Sequence, residues 1–326
     1  MHDFTLLVLP GAYAASVALT QDMLQAAAAL APRCKLPPPR WRVVSPGGGA
    51  VQLSGGLGIA TVRMPVRAPA DPSTWVVPGL GVDSPADVAA RLSGTAAHQA
   101  AVRLARHVAA GGTVAASCSA VFLLQAAGLL RERRATTSWW LAPELRRLQP
   151  DCMVDADRMV VSDGPVTTAG AAFAQTDLML HLLRVRFSAA LADAVGKVLL
   201  IDGRQAQSRF MVPAMLAGGN ELIGRLTALI ESALPHPPSV GELAEAFAMS
   251  PRTLARHVRA ATGQSPLALV QAVRLNRARL LIENSRMPVD QVAQEVGYID
   301  ATALRRLMLR GAGANPSAFR SGAGWR

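Results

Sequence analysis

From residue 239 onward the sequence repeats itself, and no other feature constrains the fold as tightly. Ser250, Leu254, Arg256, Val258, Gly263, Ser265 and Pro266 recur as Asp300, Leu304, Arg306, Met308, Gly313, Asn315 and Pro316, each 50 residues further on. Just upstream, Val240, Leu243, Ala244 and Phe247 recur as Val289, Val292, Ala293 and Val296 at a spacing of 49. One residue has therefore been added in the second turn. A stretch that repeats its caps, small residues and apolar spacing together must build the same supersecondary unit twice.

Each copy reads as two helices around a short turn. Ser239 with Glu242 forms a capping box that opens the first helix. Leu243, Ala244 and Phe247 give that helix an apolar face, and the small Ala244 permits a close crossing. Ala248 and Met249 make the turn. Ser250-Pro251 then supplies an N-cap followed by proline at the first helical position. Leu254 and Val258 point inward, which leaves Arg252, Arg256, His257 and Arg259 outside. In the second copy Asp300 is the cap, Leu304 and Met308 face inward, and Arg305, Arg306 and Arg310 lie on the polar face. A helix over 266–284, opened by Ser265-Pro266 and carrying Arg274, Arg277 and Arg279, joins the copies. This is a helix-turn-helix, twice, with a cationic second helix each time.

Charge supports an anionic partner. The formal net charge is +11, and lysine contributes only Lys35 and Lys197 to the basic side. Between Arg252 and Arg286 stand seven arginines against one acid, Glu283. A solvated basic face is the alternative to a binding face. A helix fits the DNA major groove, arginine pairs two ways with guanine, and other arginines hold phosphates. Two such helices on one joining helix could enter successive grooves of a single duplex.

The first two thirds has a different grammar. Continuous apolar strands are expected at Phe4–Leu9, Trp41–Ser45, Thr74–Val77, Gly112–Ser117 and Val166–Gly170. Helices are expected at Ser16–Ala31, around His98, Arg103 and Arg106, from near Ser119, and over Phe173–Leu200. Strands alternating with helices predict a parallel sheet covered on both faces, a doubly wound, flavodoxin-like α/β domain. The uncharged run His107–Leu130 is long enough to span a bilayer, but Gly111-Gly112 and Ser117-Cys118-Ser119 make it a buried strand, a tight turn and a buried helix. Loops at Pro10-Gly11, Pro78–Gly81 and Ser117–Ser119 follow strand ends and should converge on one pocket. The segment 203–220 has no clear period and reads as a linker. The expected domains are thus 1–202, a linker at 203–220, and 221–326, the latter all-α with two helix-turn-helix units.

Cys118 sits where strand changes abruptly to helix. The helix amides there would lower a thiol's pKa; the alternative is a small buried core residue. A nucleophilic thiol needs a base. His107 is expected to face solvent and His181 the core, so neither is an obvious partner. With Cys34 and Cys152, the cysteines show no metal-ligand or disulfide spacing, and no basic signal-peptide region precedes Arg33. A reducing cytoplasm fits.

Two stretches carry resemblances. Val114 to Leu130, with Ser117-Cys118-Ser119 at its centre, and Arg134 to Trp139 resemble the PfpI-like, class I amidotransferase-like domain of GlxA-type regulators, over roughly residues 4–200. Val77-Pro78-Gly79 and Thr168-Ala169-Gly170 match other landmarks of that family. Enzymes of the superfamily pair the elbow cysteine with a histidine and place an acid soon after the first strand. Here Ser138 stands where the regulators often have histidine, and residues 10–16 hold no acid. The resemblance therefore implies a ligand-sensing pocket without catalytic residues, walled by Gly79, Cys118, Ser119 and Trp139; the competing reading is that one or both of Trp139-Trp140 only pack the sheet. Met249–Leu254, Arg274–Leu281, Val296-Gly297-Tyr298 and Gly313–Arg320 resemble the AraC/XylS DNA-binding domain. By that resemblance Arg252, Thr253, Arg256, His257, Thr302, Arg305 and Arg306 are the expected DNA contacts. Leu304 and Met308 stand where that family usually has aromatics, so a shorter or looser second reading helix is expected.

The resulting expectation is a sequence-specific transcriptional regulator that responds to a small metabolite. Its expected partners are double-stranded DNA, a small-molecule effector, a second copy bound through the N-terminal domain, and RNA polymerase, which an activator would touch. No cofactor, metal or membrane is expected. The competing class is a cysteine hydrolase, amidase or deglycase using Cys118, and a third reading makes the N-terminal domain a dimerisation scaffold.

Overall fold

The computed structural model describes residues 2–65, 71–201, 207, 221–262 and 264–312, with the backbone alone at 283, 284 and 310–312. The chain divides into two compact units, Met1–Gln207 and Ser208–Arg326. Of the linker expected at 203–220, only Gln207 falls within the described residues.

The first unit runs β1 (Phe4–Leu7), α1 (Ala14–Leu30), β2 (Trp41–Ser45), β3 (Gly49–Gln52), β4 (Gly58–Arg63), β5 (Thr74–Val77), α2 (Pro85–Leu92), α3 (Thr95–Ala109), β6 (Thr113–Ser117) and α4 (Val121–Ala126). It continues with β7 (Arg134–Ala135), α5 (Ala142–Leu148), β8 (Met153–Val154), β9 (Val160–Asp163), β10 (Val166–Ala169), α6 (Ala174–Arg186) and α7 (Ala189–Val198). Eight strands form one sheet in the order β3-β4-β2-β1-β5-β6-β10-β9. The six inner strands are parallel, and β3 and β9 pair antiparallel at the two edges. Phe4, Leu6, Val8, Val76, Ala115 and Ala169 feed one core with α1, α6 and α7. Leu7, Leu9, Trp75, Val77, Val114 and Ala116 feed the other with α2, α3 and α4. The period of two along each strand, apolar on both faces, is what a sheet covered on both sides requires. This is the mainly parallel α/β fold expected. The uncharged run resolves into the end of α3, a turn with Gly111 at φ +88, β6, and a buried turn of helix into α4.

Three expectations need correction. The helix expected over 173–200 is two helices. Phe187 leaves helical geometry at φ −120, ψ −81, and the Ser188 hydroxyl accepts from Leu191 N to start α7. The apolar run does not reveal that break because both halves bury leucines on the same sheet face. The β3–β4 hairpin and the edge strand β9 were not expected. Both lie at sheet edges, where half-exposed residues carry little hydrophobic signal. Finally, His107 does not face solvent. It is buried, stacks on Trp75 at 4.9 Å, and its Nε2 lies 3.1 Å from Ser73 O and 3.2 Å from Thr113 O. His181 is half-buried, with Nε2 2.9 Å from Ser162 Oγ.

Burial pulls the pKa of His107 below 6.5, and burial does the same to His181. The unfolded chain thus takes up protons first as pH falls. The stability held by neutral His107 is complete above about pH 6.5 and is lost as pH drops from there through the folded value, at up to about 1.4 kcal/mol per pH unit and proton. Thermal unfolding between pH 7 and 5 should therefore show a falling Tm whose slope is shallower in His107→Phe. An identical slope in the variant would show that His107 is not a titrating destabiliser.

The second unit contains α8 (Glu221–Ser232), α9 (Val240–Ala246), α10 (Pro251–Thr262), α11 (Pro266–Asn284), α12 (Val289–Glu295) and α13 (Ala301–Ala312). The repeat in sequence is a repeat in backbone. Helix α9 opens on the capping box, with Ser239 N donating to Glu242 Oε2 and Glu242 N to Ser239 Oγ. It closes with Ala248 at φ +52, and Met249 N donates back to Ala244 O. Helix α12 closes the same way, with Gly297 at φ +79 and Tyr298 N donating to Ala293 O. A left-handed residue followed by that long backward bond is a standard helix stop. Ser250 Oγ then accepts from Thr253 N, and Asp300 Oδ1 from both Thr302 N and Ala303 N. The added residue of the second turn is Ile299, which is 97% exposed.

Inside each unit Ala244 and Ala293, the small residues at the crossing, are fully buried with Leu254, Val258, Leu304 and Met308. Ala278 and Ile282 of α11 join Val292, Val296, Leu304 and Met308 in one core. The second reading helix is not shorter: α10 and α13 each have 12 residues. Leu304 and Met308 are both buried in that core. Gly313–Arg320 lies outside the described residues.

Candidate functional site

The three loops at the carboxyl ends of β1, β5 and β6 do converge. Tyr13 N donates to Gly79 O (2.8 Å), and Leu80 N donates to Ser119 Oγ (3.1 Å). A Cβ at Gly79 would sit 3.1 Å from Cys118 Cβ, so glycine there lets the β5 loop lie against the elbow. Cys118 has φ +56, a left-handed backbone that a side-chain-bearing residue adopts only at some cost. Its N–H donates to Gly170 O (2.7 Å), and its carbonyl accepts from Thr137 Oγ1 (2.8 Å). These bonds from the β10 and β7 ends hold the strained turn.

The Cys118 thiol is buried in this turn. Burial pushes its pKa up, and the hydrogen bond that Ser138 Oγ donates to Sγ (3.1 Å) opposes this without overcoming it. The helix amides were expected to lower it; here the helix starts with a short tight turn, Cys118–Ala120, and full burial outweighs its field. His107 and His181 bond elsewhere, as described. Burial also pushes Cys152 up, to about 11. Gly79, Cys118 and Ser119 come together as expected, and all are buried. Trp139 follows Ser138 in sequence and packs edge-on to Trp140 at 5.2 Å, while Trp140 Nε1 donates to Asp83 O. No helix among the described residues is long and apolar enough to cross a membrane.

Of the residues expected to meet DNA, Arg252, Arg256, His257, Thr302, Arg305 and Arg306 are exposed on α10 and α13. Thr253 is half-buried, with Oγ1 2.9 Å from Ser250 Oγ, so it completes the helix cap. Arg277 and Arg286 are exposed as well. Arg274 departs from the basic face. Its Nε donates to Val296 O (2.7 Å), an Nη donates to Gly297 O, and its guanidinium lies 3.6 Å from the Tyr298 ring centre. It caps α12 from α11. Sequence spacing placed it on a helix with other arginines and gave no sign that one of them turns inward. Gln207 was also missed: in sequence it is one polar residue in an aperiodic segment, yet it is 2% exposed.

Residues 40–185 match the DJ-1/PfpI family, and residues 243–322 match the helix-turn-helix domain model. The chain is 29% identical over 296 residues to the HTH-type transcriptional regulator GlxA of Rhizobium meliloti, covering 87% of this chain and 84% of that one. It is 26% identical over 326 residues to the HTH-type transcriptional regulator CdhR of Pseudomonas aeruginosa, covering 98% and 92%. A ThiJ/PfpI family protein from Pseudomonas syringae shares the front fold, with a TM-score of 0.50 at 21% identity over 62% of this chain and 76% of that one. The chain thus carries a DJ-1/PfpI domain followed by an AraC-type helix-turn-helix domain, an arrangement that fits a GlxA-type regulator of the AraC family.

Proposed function

We propose that α10 and α13 read operator DNA through Arg252, Arg256, His257, Thr302, Arg305 and Arg306, with Thr253 at the helix start. The first unit senses a small molecule without turning it over, at the crevice walled by Gly79, Cys118, Ser119 and Trp139. A second copy bound through the first unit, contact with RNA polymerase and a cytoplasmic location belong to the same reading. The observation that carries it is the duplicated helix-turn-helix whose outward faces keep their arginines in water while the equivalent inward positions are closed. For sensing, the support is the buried convergence of three strand-end loops on a strained residue whose thiol takes a hydrogen bond from Ser138, while His107 and His181 are bonded elsewhere.

Operator binding by the full chain tests the DNA-reading half. Arg256→Ala should weaken binding by about 5- to 150-fold and relax base preference at one position. Affinity should also fall steeply with salt as counterions are released. Equal weakening on every sequence would make Arg256 a phosphate contact instead. Cys118→Ala should leave operator binding intact. The elbow backbone itself favours a hydrolase as the second reading; turnover of an amide or glycated substrate that vanishes in Cys118→Ala would establish it and remove the claim of inactivity.

A further inference from the structure

Gln207 fills a cradle that fits a primary carboxamide on every side. Its Nε2 has four oxygens within reach: Thr137 O at 2.9 Å, Ala156 O at 3.1 Å, and Thr136 Oγ1 and Arg158 O at 3.2 Å. On the other side its Oε1 accepts from Ala171 N at 3.0 Å. Its own backbone N donates to Asp157 O at 2.7 Å. Acceptors converge on one end and a single donor meets the other, so the polarity of the site is that of an amide. A carboxylate would set its lone pairs against four oxygens. An ammonium would leave Ala171 N–H unanswered. The absence of a side chain at Gly170 is part of the cradle, because a Cβ there would collide with the Gln207 carboxamide.

The cradle shares its walls with the elbow. Thr137, whose carbonyl accepts from Gln207, donates through Oγ1 to Cys118 O. Gly170, which precedes Ala171, accepts from Cys118 N. The residue that fills it is the last of the first compact unit, where the chain leaves for the second.

We infer that this cradle is a binding site for primary carboxamides that the chain occupies with its own Gln207, so that a soluble carboxamide and the Gln207 side chain compete for it. The cradle adjoins the Cys118 elbow through Thr137 and Gly170, and the competition does not depend on an effector binding at the elbow. A tethered side chain enjoys a high effective concentration, so the competition is best read where the tether has lost its headgroup.

The test is chemical complementation of the full chain. Gln207→Ala should lower the first transition in thermal unfolding by roughly 5 °C, because buried acceptors lose their donor. Acetamide at millimolar concentration should restore part of that loss, while acetate, acetone and methylammonium should not. Wild-type protein, with the site filled, should respond to acetamide far less. If Gln207→Ala does not fold, its refolding yield is measured with and without acetamide, and an amide-dependent yield is the expected result. Rescue by acetone or methylammonium as good as by acetamide would overturn the assignment. So would an unchanged transition in Gln207→Ala, an amide-independent refolding yield, or equal stabilisation of wild type and variant.

Discussion

Gly297→Ala should destabilise the second unit by about 3 kcal/mol. Gly297 stops α12 at φ +79, where a side-chain-bearing residue costs about 1–2 kcal/mol. An added Cβ would also fall well inside contact distance of Pro235 O and against Pro237. Both are parts of the 235–238 loop, and a backbone carbonyl cannot swing away as the tip of a side chain could. Overpacking of that kind costs about 1–3 kcal/mol more. For a unit of this size the midpoint should fall by about 10–20 °C, measured by far-UV circular dichroism on the full chain. Ala248 provides the internal control. It holds the equivalent place in the first turn at φ +52 with a Cβ already present, so Ala248→Gly should be neutral or slightly stabilising. A Gly297→Ala midpoint within a degree of wild type would mean that the second turn can relax in a way the first does not.

Arg274→Met should cost a similar amount, about 3 kcal/mol, for a different reason. Methionine keeps the aliphatic stem but removes two charge-assisted bonds to Val296 O and Gly297 O and the stack on Tyr298. The carbonyls at the end of α12 would be left with one cap fewer. Arg274→Lys should recover only part of the loss, since a point charge cannot bond two carbonyls and lie flat on a ring together. Stability and DNA affinity separate the two possible roles of this arginine. If Arg274 instead held a phosphate, Arg274→Met would leave the midpoint unchanged and reduce the salt slope of operator binding by about one.

What the sequence disclosed was local or periodic. Caps such as Ser239–Glu242 and Asp300 act within a few residues, so their spelling is complete in a short window. The strands around Leu6, Val76 and Ala115 are apolar on both faces and could be nothing but a covered sheet. The repeat doubled every such signal in the second unit. What stayed hidden was settled by tertiary partners. His107 sits on an amphipathic helix and would suit solvent, except that Trp75 and the carbonyls of Ser73 and Thr113 lie beneath it. Arg274 differs from Arg277 only in what its neighbour helix leaves uncapped. Gln207 has no local partner at all; its nearest bonded acceptor in sequence is some 50 residues away. The thiol of Cys118 shows the same limit in electrostatics. Its place before a helix argued for a lowered pKa, and the depth of its burial, invisible in the chain, reverses the direction.

Ile299 has a consequence for the DNA. The repeat is not a perfect copy, because this one protruding residue advances α13 relative to α12, and Arg305 stands where α10 has Ala255. The two reading surfaces therefore display different side chains in a fixed order along the chain. Under the proposed reading, the half-site matched to one copy of the chain is not a palindrome but an arrow, with a head and a tail.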